Sequence, residues 1–308
     1  MSNVFSAVEA ALADVPARRH IQSIIVARGG DVLVERYFRD RRASDLSNIH
    51  SVTKSILATL VGIALRDGFL ELGTKVGEVF EARLLEDDPR KSSIAVEHLL
   101  TMTSGLDAET PHDIDQIADR GEPWVEGVLG APLRAEPGTS FIYNNGAAHV
   151  LGAMVARATG TPLARFAREK LFRPLGIEAF RWPTDPEGHP LGYGHLELRP
   201  VHLLRLGELY LQGGHFNGAQ LVPTAFVEAA TSPTSDGGAP EGVPYGYLWW
   251  ITEDADYPAF FAGGYGGQYV TVIPELELIV VTTGDVDVFI ETSRNLRRLV
   301  AEAVIPAL

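Results

Sequence analysis

Two polar side chains in the first third of the chain, Ser51 and Lys54, have the types and spacing of a nucleophile and its base. Ser51 precedes an apolar stretch, 55–65, that predicts a buried helix, and residues three apart lie on one face of a helix. A serine hydroxyl becomes nucleophilic when a neighbouring amine accepts its proton. The alternative is an ordinary N-cap serine followed by a solvated lysine. Because the helix macrodipole disfavours a cation in the first turn, the spacing favours the catalytic interpretation.

A second pair, Tyr143 and Asn145, could complete such a site from elsewhere in the chain. The chain has only four lysines, so a Ser-x-x-Lys occurs by chance roughly 0.2 times, and a Tyr-x-Asn about as often. We expect Tyr143 to share the proton transfer and Asn145 to orient Lys54 or a substrate amide. The alternative for Asn145 is a turn residue. The two pairs together predict a serine hydrolase that uses no metal and no cofactor.

A glycine-rich segment, 263–267, follows a β-rich stretch late in the chain. Glycines let a substrate approach a strand backbone closely, so we predict that Gly264, Gly266 and the neighbouring Tyr265 contact the substrate. The alternative is a plain bulge or loop. Gln268 either contacts the substrate or is a solvated strand residue. Trp124 is a candidate for a wall of the acyl pocket. We expect Trp249 and Trp250 to pack the sheet against a helix.

Composition excludes several classes of function. The chain has 308 residues, a net charge of −14 and no cysteine. The negative charge argues against nucleic-acid partners and anionic membrane surfaces, and the lack of cysteine excludes disulfides and thiolate metal sites. The nine histidines show no spacing typical of metal ligands. The N-terminus lacks a basic stretch before an apolar one, and no apolar run is long enough to span a bilayer, so we expect a soluble cytoplasmic protein. The oligomeric state is left open.

The order of elements predicts an α+β fold. Residues 22–38 predict a β-hairpin, residues 111–124 a loop and residues 231–244 a linker. Helical periodicity occurs at 3–14, 94–103, 146–159, 162–173, 201–212 and 289–304, and β-rich segments occur at 245–252, 269–273 and 278–283. We predict an antiparallel sheet built from both chain ends and flanked by terminal helices, with an inserted, mostly helical lobe. The sheet domain would comprise 1–50 and 241–308, the helical domain 51–240, and the site would lie in the crevice between them.

Six motifs in this order give the chain a family resemblance: Ser51–Lys54, Leu99–Leu106, Pro137–Thr139, Tyr143–Asn145, Tyr245–Trp250 and Gly263–Gln268. The chain resembles the serine β-lactamase and penicillin-binding protein superfamily, in its class C-like branch. That branch includes family VIII carboxylesterases, D-amino-acid peptidases and 6-aminohexanoate-dimer hydrolases. The resemblance implies a serine nucleophile, a lysine base and a tyrosine that shares the proton work. It also implies that the backbone N–H groups of Ser51 and Tyr265 stabilise the oxyanion.

The third family motif departs from the usual pattern. Relatives commonly carry Lys-Thr-Gly, or histidine in the first place, and the counterpart here is Ala262-Gly263-Gly264. In members that process β-lactams, that cation helps to hold the substrate carboxylate. We therefore predict hydrolysis of small carboxylic esters or amides. The alternatives are β-lactamase or D-amino-acid peptidase activity, acyl transfer to an alcohol or amine, and an inactive binding or scaffold relative.

Overall fold

The computed structural model describes residues 3–14, 18–286 and 290–308. The α-helices in these ranges are α1 (Asn3–Asp14), α2 (Val52–Arg66), α3 (Val76–Val79), α4 (Val96–Leu100), α5 (Ile114–Asp119), α6 (Trp124–Gly130), α7 (Asn145–Thr159), α8 (Leu163–Ala167), α9 (Pro200–Leu211), α10 (Thr224–Ala230) and α11 (Ile290–Leu299). The strands are β1 (Ile21–Arg28), β2 (Asp31–Tyr37), β3 (Ser47–Asn48), β4 (Glu197–Leu198), β5 (His215–Phe216), β6 (Ala219–Gln220), β7 (Ser235–Gly238), β8 (Val243–Tyr245), β9 (Trp250–Asp254), β10 (Tyr257–Gly264), β11 (Gln268–Ile273) and β12 (Leu278–Gly284).

The main sheet has eight antiparallel strands in the order β2-β1-β12-β11-β10-β9-β8-β7. Its first two strands come from the N-terminal part of the chain and the other six from the C-terminal part. Every residue of β11 and β12 is buried, because helices cover the sheet. Helix α9 packs on β1, β11 and β12, and α2 packs on β10 and β11. The predicted α+β fold is confirmed.

Helix α2 places the first motif at the boundary between sheet and lobe. All thirteen residues from Val52 to Ala64 are buried, so the helix is held by core packing on all sides. Helix α7 begins directly after the second motif. Asn144 caps it by accepting a hydrogen bond from Ala147 N–H at 2.9 Å, and Gly160 ends it with a φ of 61°. Both motifs are therefore fixed at the N-terminal ends of long buried helices.

Most predicted elements are confirmed, and three need correction. Residues 22–38 form the β1–β2 hairpin, and the predicted helices at 146–159 and 201–212 match α7 and α9. The predicted strand at 245–252 is wrong, because Leu248 adopts a left-handed φ of 56° and separates β8 from β9. The loop predicted at 111–124 contains α5, and the linker predicted at 231–244 contains β7.

The C-terminal helical segment predicted at 289–304 matches α11 followed by one π-helical turn, Val300–Val304; residue 289 lies outside the described residues. This segment and α1 pack against each other. Within the described ranges, no helix combines the length and the apolar composition needed to cross a bilayer. The division into a sheet domain (1–50 and 241–308) and a helical domain (51–240) stays a prediction.

Candidate active site

Ser51 occupies the N-cap position of α2, directly before its first residue. Its backbone has φ −68° and ψ −8°, but its side chain makes no capping hydrogen bond. Its Oγ lies instead 2.9 Å from Nζ of Lys54. The N-cap interpretation therefore accounts for where Ser51 lies in the helix and not for what its hydroxyl contacts.

Lys54 is a buried amine without a counter-ion. Its side chain is 1% exposed, and Nζ donates a hydrogen bond to the backbone carbonyl of Tyr193 at 2.7 Å. No carboxylate of the described residues lies within ion-pairing distance of Nζ, whereas the equally buried Lys91 is paired with Asp87. Because burial disfavours the ammonium form, the pKa of Lys54 is lowered well below its ordinary value of 10.5. A lysine in this state can accept a proton from a neighbouring hydroxyl.

Tyr143 completes the group of polar side chains around the hydroxyl. Its ring centre lies 4.8 Å from Nζ of Lys54, and Tyr143 lines the same cavity as Ser51. Burial raises the pKa of Tyr143, its interaction with Ser51 opposes that rise, and the charge of Glu241 adds to it. The net effect is an increase above the ordinary value, so Tyr143 is a protonated phenol at neutral pH. In that form it can donate a proton to a leaving group.

The end of β10 approaches the start of α2 closely. A Cβ atom placed on Gly264 would lie 2.5 Å from Ile49 O and 3.2 Å from Ser51 N, distances that only glycine allows. Tyr265 follows directly. In the described part of the chain, neither Ser51 N–H nor Tyr265 N–H donates a hydrogen bond to a backbone acceptor. Two such donors beside a nucleophile are suited to stabilising an oxyanion.

Ser51 opens onto a small cavity of about 160 Å³. Its lining residues are Ser51, Tyr143, Asn145, Pro240, Glu241, Trp250, Gly263, Gly264 and Tyr265. A cavity of this size holds about five groups as large as a water molecule, so it suits a short acyl or leaving group. Trp250 was predicted to pack the sheet, and that prediction is incomplete. Its ring stacks on Tyr143 with centres 5.7 Å apart and forms a wall of the cavity. Trp249 does pack between sheet and helix, against Tyr210 and Phe260.

Glu241 brings a carboxylate into the cavity, and sequence reasoning missed it. Its side chain is 7% exposed, and its Oε1 accepts a hydrogen bond from Tyr269 at 3.2 Å. Its Oε2 lies 3.5 Å from Nε of Arg294. Burial raises the pKa of Glu241, against the opposing effect of Arg294 and Arg297. Glu241 lies in a segment that reads as a polar linker, so no local pattern marks it.

Asn145 lines the cavity but does not orient Lys54 as predicted. Its Oδ1 is buried and has no hydrogen-bond donor among the described residues. The carbonyl of Tyr193 takes the predicted place beside Nζ. A backbone carbonyl carries no side-chain signature, so the sequence could not reveal it. The role of Asn145 towards a substrate amide stays a prediction.

Three other predicted contacts do not reach the cavity. Gln268 is 1% exposed and neither solvated nor facing a substrate; its Nε2 donates a hydrogen bond to Gly284 O at 2.8 Å and joins β11 to β12. Gly266 has a φ of 81° in the turn after β10 and faces the backbone of Asp285. Trp124 packs on His149 with ring centres 5.7 Å apart. Gln268, Gly266 and Trp124 are therefore structural in the free protein.

A second polar group, formed by His149, Asp185 and His189, lies in the helical lobe. His149 Nε2 and His189 Nδ1 lie 2.9 Å and 3.1 Å from the same oxygen of Asp185. The three ligand atoms lie within 4.8 Å of one another, close enough to share a metal ion. The spacing of the nine histidines does not predict such a group. The spacing of Asp185 and His189 was a weak signal, and His149 joins them only through the fold.

Comparison with known proteins gives consistent matches. The family model described as Beta-lactamase matches residues 8–305. The chain is 29% identical over 239 residues to "Esterase EstB" of Burkholderia gladioli, a match that covers 70% of this chain and 60% of EstB. It is 25% identical over 281 residues to "6-aminohexanoate-dimer hydrolase" of Paenarthrobacter ureafaciens, covering 84% of this chain and 71% of that protein. Thus the match spans less than two thirds of the length of EstB.

A solved structure agrees with the fold. The crystal structure of a putative beta-lactamase from Bacteroides dorei DSM 17855 superposes with a TM-score of 0.80 at 18% identity. The match covers 98% of this chain and 99% of that chain. At this level of identity the likeness supports the fold.

Proposed function

The chain belongs to the beta-lactamase family, and within that family we propose that it is a serine hydrolase of small carboxylic esters or amides. In this proposal Ser51 forms the acyl-enzyme, and Lys54 and Tyr143 transfer the protons. The two relatives named an esterase and a hydrolase support this class of reaction. We place the chain in the class C-like branch on its Ser51-x-x-Lys54 and Tyr143-x-Asn145 motifs.

The observation that carries the proposal is the environment of Lys54. Its Nζ is buried, lies 2.9 Å from Ser51 Oγ and has only uncharged hydrogen-bond partners in the described structure. Burying an amine without a carboxylate is costly in free energy. A purely structural lysine would be better paired, as Lys91 is with Asp87. The unpaired amine beside a hydroxyl therefore supports a functional role for both groups.

The proposed reaction has two half-reactions that balance in protons. Ser51 Oγ bonds to the substrate carbonyl carbon while Lys54 takes the hydroxyl proton. The bond to the leaving group then breaks, and that group receives a proton from Tyr143. Lys54 then passes the proton that it took from Ser51 to Tyr143, and both groups return to their starting forms. In the second half, water gives its proton to the Tyr143 and Lys54 pair, attacks the acyl carbon and releases the acid, and Ser51 Oγ is protonated again.

The oxyanion that forms in each half-reaction would be held by the N–H groups of Ser51 and Tyr265. Loss of one such donor typically costs about 10²–10³ in rate. The Ser51 N–H lies at the N-terminal end of α2, where the helix dipole also favours negative charge. Gly264 contributes by letting the strand come close enough for both donors to face one oxygen.

Esters and amides without a negative charge are favoured over β-lactams as substrates. The segment Ala262–Gly264 has no cation to hold a substrate carboxylate. The small cavity of about 160 Å³ also favours a short substrate. The β-lactamase and carboxypeptidase alternatives, which depend on a bound substrate carboxylate, therefore rank lower. An inactive scaffold also ranks lower, because the polar groups needed for acyl transfer are brought together.

The test combines covalent labelling with turnover. A p-nitrophenyl alkylphosphonate should add one phosphonyl group to the wild type, as seen by intact mass, and peptide mapping should place it on Ser51. The Ser51→Ala variant, checked by circular dichroism to be folded, should take up no label. Wild type should hydrolyse p-nitrophenyl butyrate faster than nitrocefin. Absence of label on a folded wild type would support the scaffold alternative, and faster nitrocefin turnover would support the β-lactamase alternative.

Hydrolysis and acyl transfer share the acyl-enzyme and differ in the second nucleophile. Addition of methanol to the p-nitrophenyl butyrate reaction distinguishes them. We expect butyric acid as the main product. Methyl butyrate in excess over the acid would instead identify the protein as an acyltransferase.

A further inference from the structure

The wall of the candidate active site contains a carboxylate, that of Glu241, next to the strand whose third motif lacks a cation. A Cβ atom placed on Gly263 would lie 3.4 Å from Oε1 of Glu241, so this carboxylate lies against the strand that carries the third motif. Glu241 also lines the same cavity as Ser51. Its charge acts on Tyr143, whose pKa it helps to raise. Thus the negative charge lies close to the reacting groups.

Glu241 is only partly neutralised by its surroundings. Arg294 Nε is 3.5 Å from Oε2, and that Nε makes no hydrogen bond in the described structure. Arg297 and Arg298 line an adjoining pocket with Glu241, and Arg297 is bound to Asp254 at 2.7 Å. The remaining contact, Tyr269, is an uncharged donor at 3.2 Å. A buried carboxylate with so few close donors retains the capacity to bind another cation.

A second acceptor faces the same space. The Oδ1 atom of Asn145 is buried and has no donor in the described part of the chain, and Asn145 lines the cavity with Glu241. Buried acceptors are normally paired, so an unpaired one in a cavity indicates a donor on the ligand. The cavity therefore offers two acceptors to a substrate, one of them charged.

We propose that Glu241 is a specificity-determining residue that selects substrates with a primary ammonium group close to the scissile carbonyl and rejects those with a carboxylate there. This inference rests on the proposed function, whose substrate class it narrows to amino esters and amino amides. In a partly dry cleft, an opposite charge near Glu241 is attracted and a like charge is repelled. Because Glu241 and Ser51 line the same small cavity, the ammonium group should lie within a few bonds of the carbonyl.

The test uses three ethyl esters of nearly equal size and different charge. They are ethyl 3-aminopropanoate (positive), ethyl butanoate (neutral) and monoethyl malonate (negative), and all release ethanol, which a coupled alcohol dehydrogenase assay measures. For wild type we expect kcat/KM to fall in that order, with about a tenfold step between neighbours. Equal values, or a preference for the malonate, would overturn the inference.

Two variants locate the effect. Glu241→Gln keeps the size of the side chain and removes its charge. When kcat/KM for each charged ester is divided by that for ethyl butanoate with the same variant, both charge steps should shrink to within about twofold. Arg294→Gln removes the cation that partly neutralises Glu241. It should therefore enlarge the preference for the amino ester over ethyl butanoate by about threefold. If Glu241→Gln, shown to be folded by circular dichroism, keeps the wild-type order, the selecting charge lies elsewhere and the inference is wrong.

Failure of the proposed function gives a different result. If wild type cleaves none of the three esters, the proposed esterase activity is wrong, and binding alone then decides the charge preference. The decisive measurement is thermal stabilisation by propylammonium chloride and by sodium propionate at equal ionic strength. Propylammonium should raise the melting temperature of wild type more than propionate does, and Glu241→Gln should remove the difference. Equal shifts of the melting temperature would overturn the inference.

Discussion

Two buried polar groups lie near each other in this protein and are built on opposite principles. In the group of His149, Asp185 and His189, the carboxylate accepts hydrogen bonds from both imidazoles and from the backbone N–H of His189 at 2.7 Å. In the group of Ser51 and Lys54, the buried amine contacts only uncharged oxygens. In the first group the charge of Asp185 is met by three hydrogen bonds, although His149 Nδ1 has no partner among the described residues. In the second group the amine lacks a counter-ion.

The pKa directions express this difference. Burial raises the pKa of Asp185, but hydrogen bonds from His149 and His189 outweigh that effect and lower it to about 2. Lys54 has no comparable compensation, and burial lowers its pKa towards the reactive, neutral form. The two groups share Tyr193 as a neighbour: its ring centre lies 6.3 Å from that of His149 and 5.9 Å from Lys54 Nζ, and its carbonyl accepts a hydrogen bond from Lys54. The comparison teaches that a paired buried charge stabilises the fold, whereas an unpaired one is available for chemistry.

The largest expected effect is that of Lys54→Arg. A guanidinium does not release its proton at working pH, so it cannot act as a base. We expect kcat/KM for p-nitrophenyl butyrate to fall by about 10⁴ or more. Lys75→Arg, the same change at an exposed position, should leave activity within twofold of wild type. Turnover by Lys54→Arg within about tenfold of wild type would show that Lys54 is not the base.

The dependence of kcat/KM on pH should report the group of Ser51 and Lys54. Activity needs the neutral amine of Lys54, so kcat/KM should rise with pH along a limb that lies well below the ordinary lysine pKa of 10.5. Because the pKa of Tyr143 is raised, its phenol stays protonated and the plateau should persist at alkaline pH. The check is kcat/KM of wild type from about pH 5 to about pH 10. A rising limb centred near the ordinary lysine pKa would contradict the assignment.

The stability of the protein should respond in a different range of pH. The pKa of Asp185 is lower in the folded protein, about 2, than its ordinary value of 3.8. Its contribution to the free energy of unfolding is therefore complete above pH 4 and decreases as pH falls towards 2. Urea unfolding across that interval measures this loss. Its midpoint should fall more steeply with acid in wild type than in Asp185→Asn.

The smallest effect on activity is expected from Asp185→Asn. The substitution removes the charge that binds two imidazoles in the interior and should lower the free energy of unfolding by about 2–4 kcal/mol. Below the melting temperature, kcat should fall less than about fivefold, since no reacting group changes. Asp236→Asn, at an exposed position, is the control for stability. A loss of kcat as large as that of Lys54→Arg, in a folded Asp185→Asn variant, would make the second group part of the chemistry.

The sequence predicts those parts of the site that depend on local periodicity. The spacing of Ser51 and Lys54 within one helical turn, and the position of Tyr143 before α7, follow from residues close in the chain. The segments 269–273 and 278–283 are likewise recognised from their β-rich composition, and both are strands in the structure. The prediction of one strand at 245–252 was wrong because the chain turns at Leu248. There the backbone N–H donates a hydrogen bond to Leu100 O, at the end of a helix distant in sequence, at 3.0 Å, and no local pattern reveals this turn.

What the sequence determined by itself was the fold class, and it predicted Ser51, Lys54 and Tyr143 as candidate reactive groups, because periodicity and the order of the motifs depend on neighbouring residues. Only the tertiary structure decided which groups face the cavity. Glu241 and Trp250 lie in the wall of the cavity, and the Tyr193 carbonyl accepts a hydrogen bond from Lys54. Gln268 instead bonds to Gly284 within the sheet. The reason is physical: burial and the pKa values that follow from it depend on atoms brought together from distant parts of the chain.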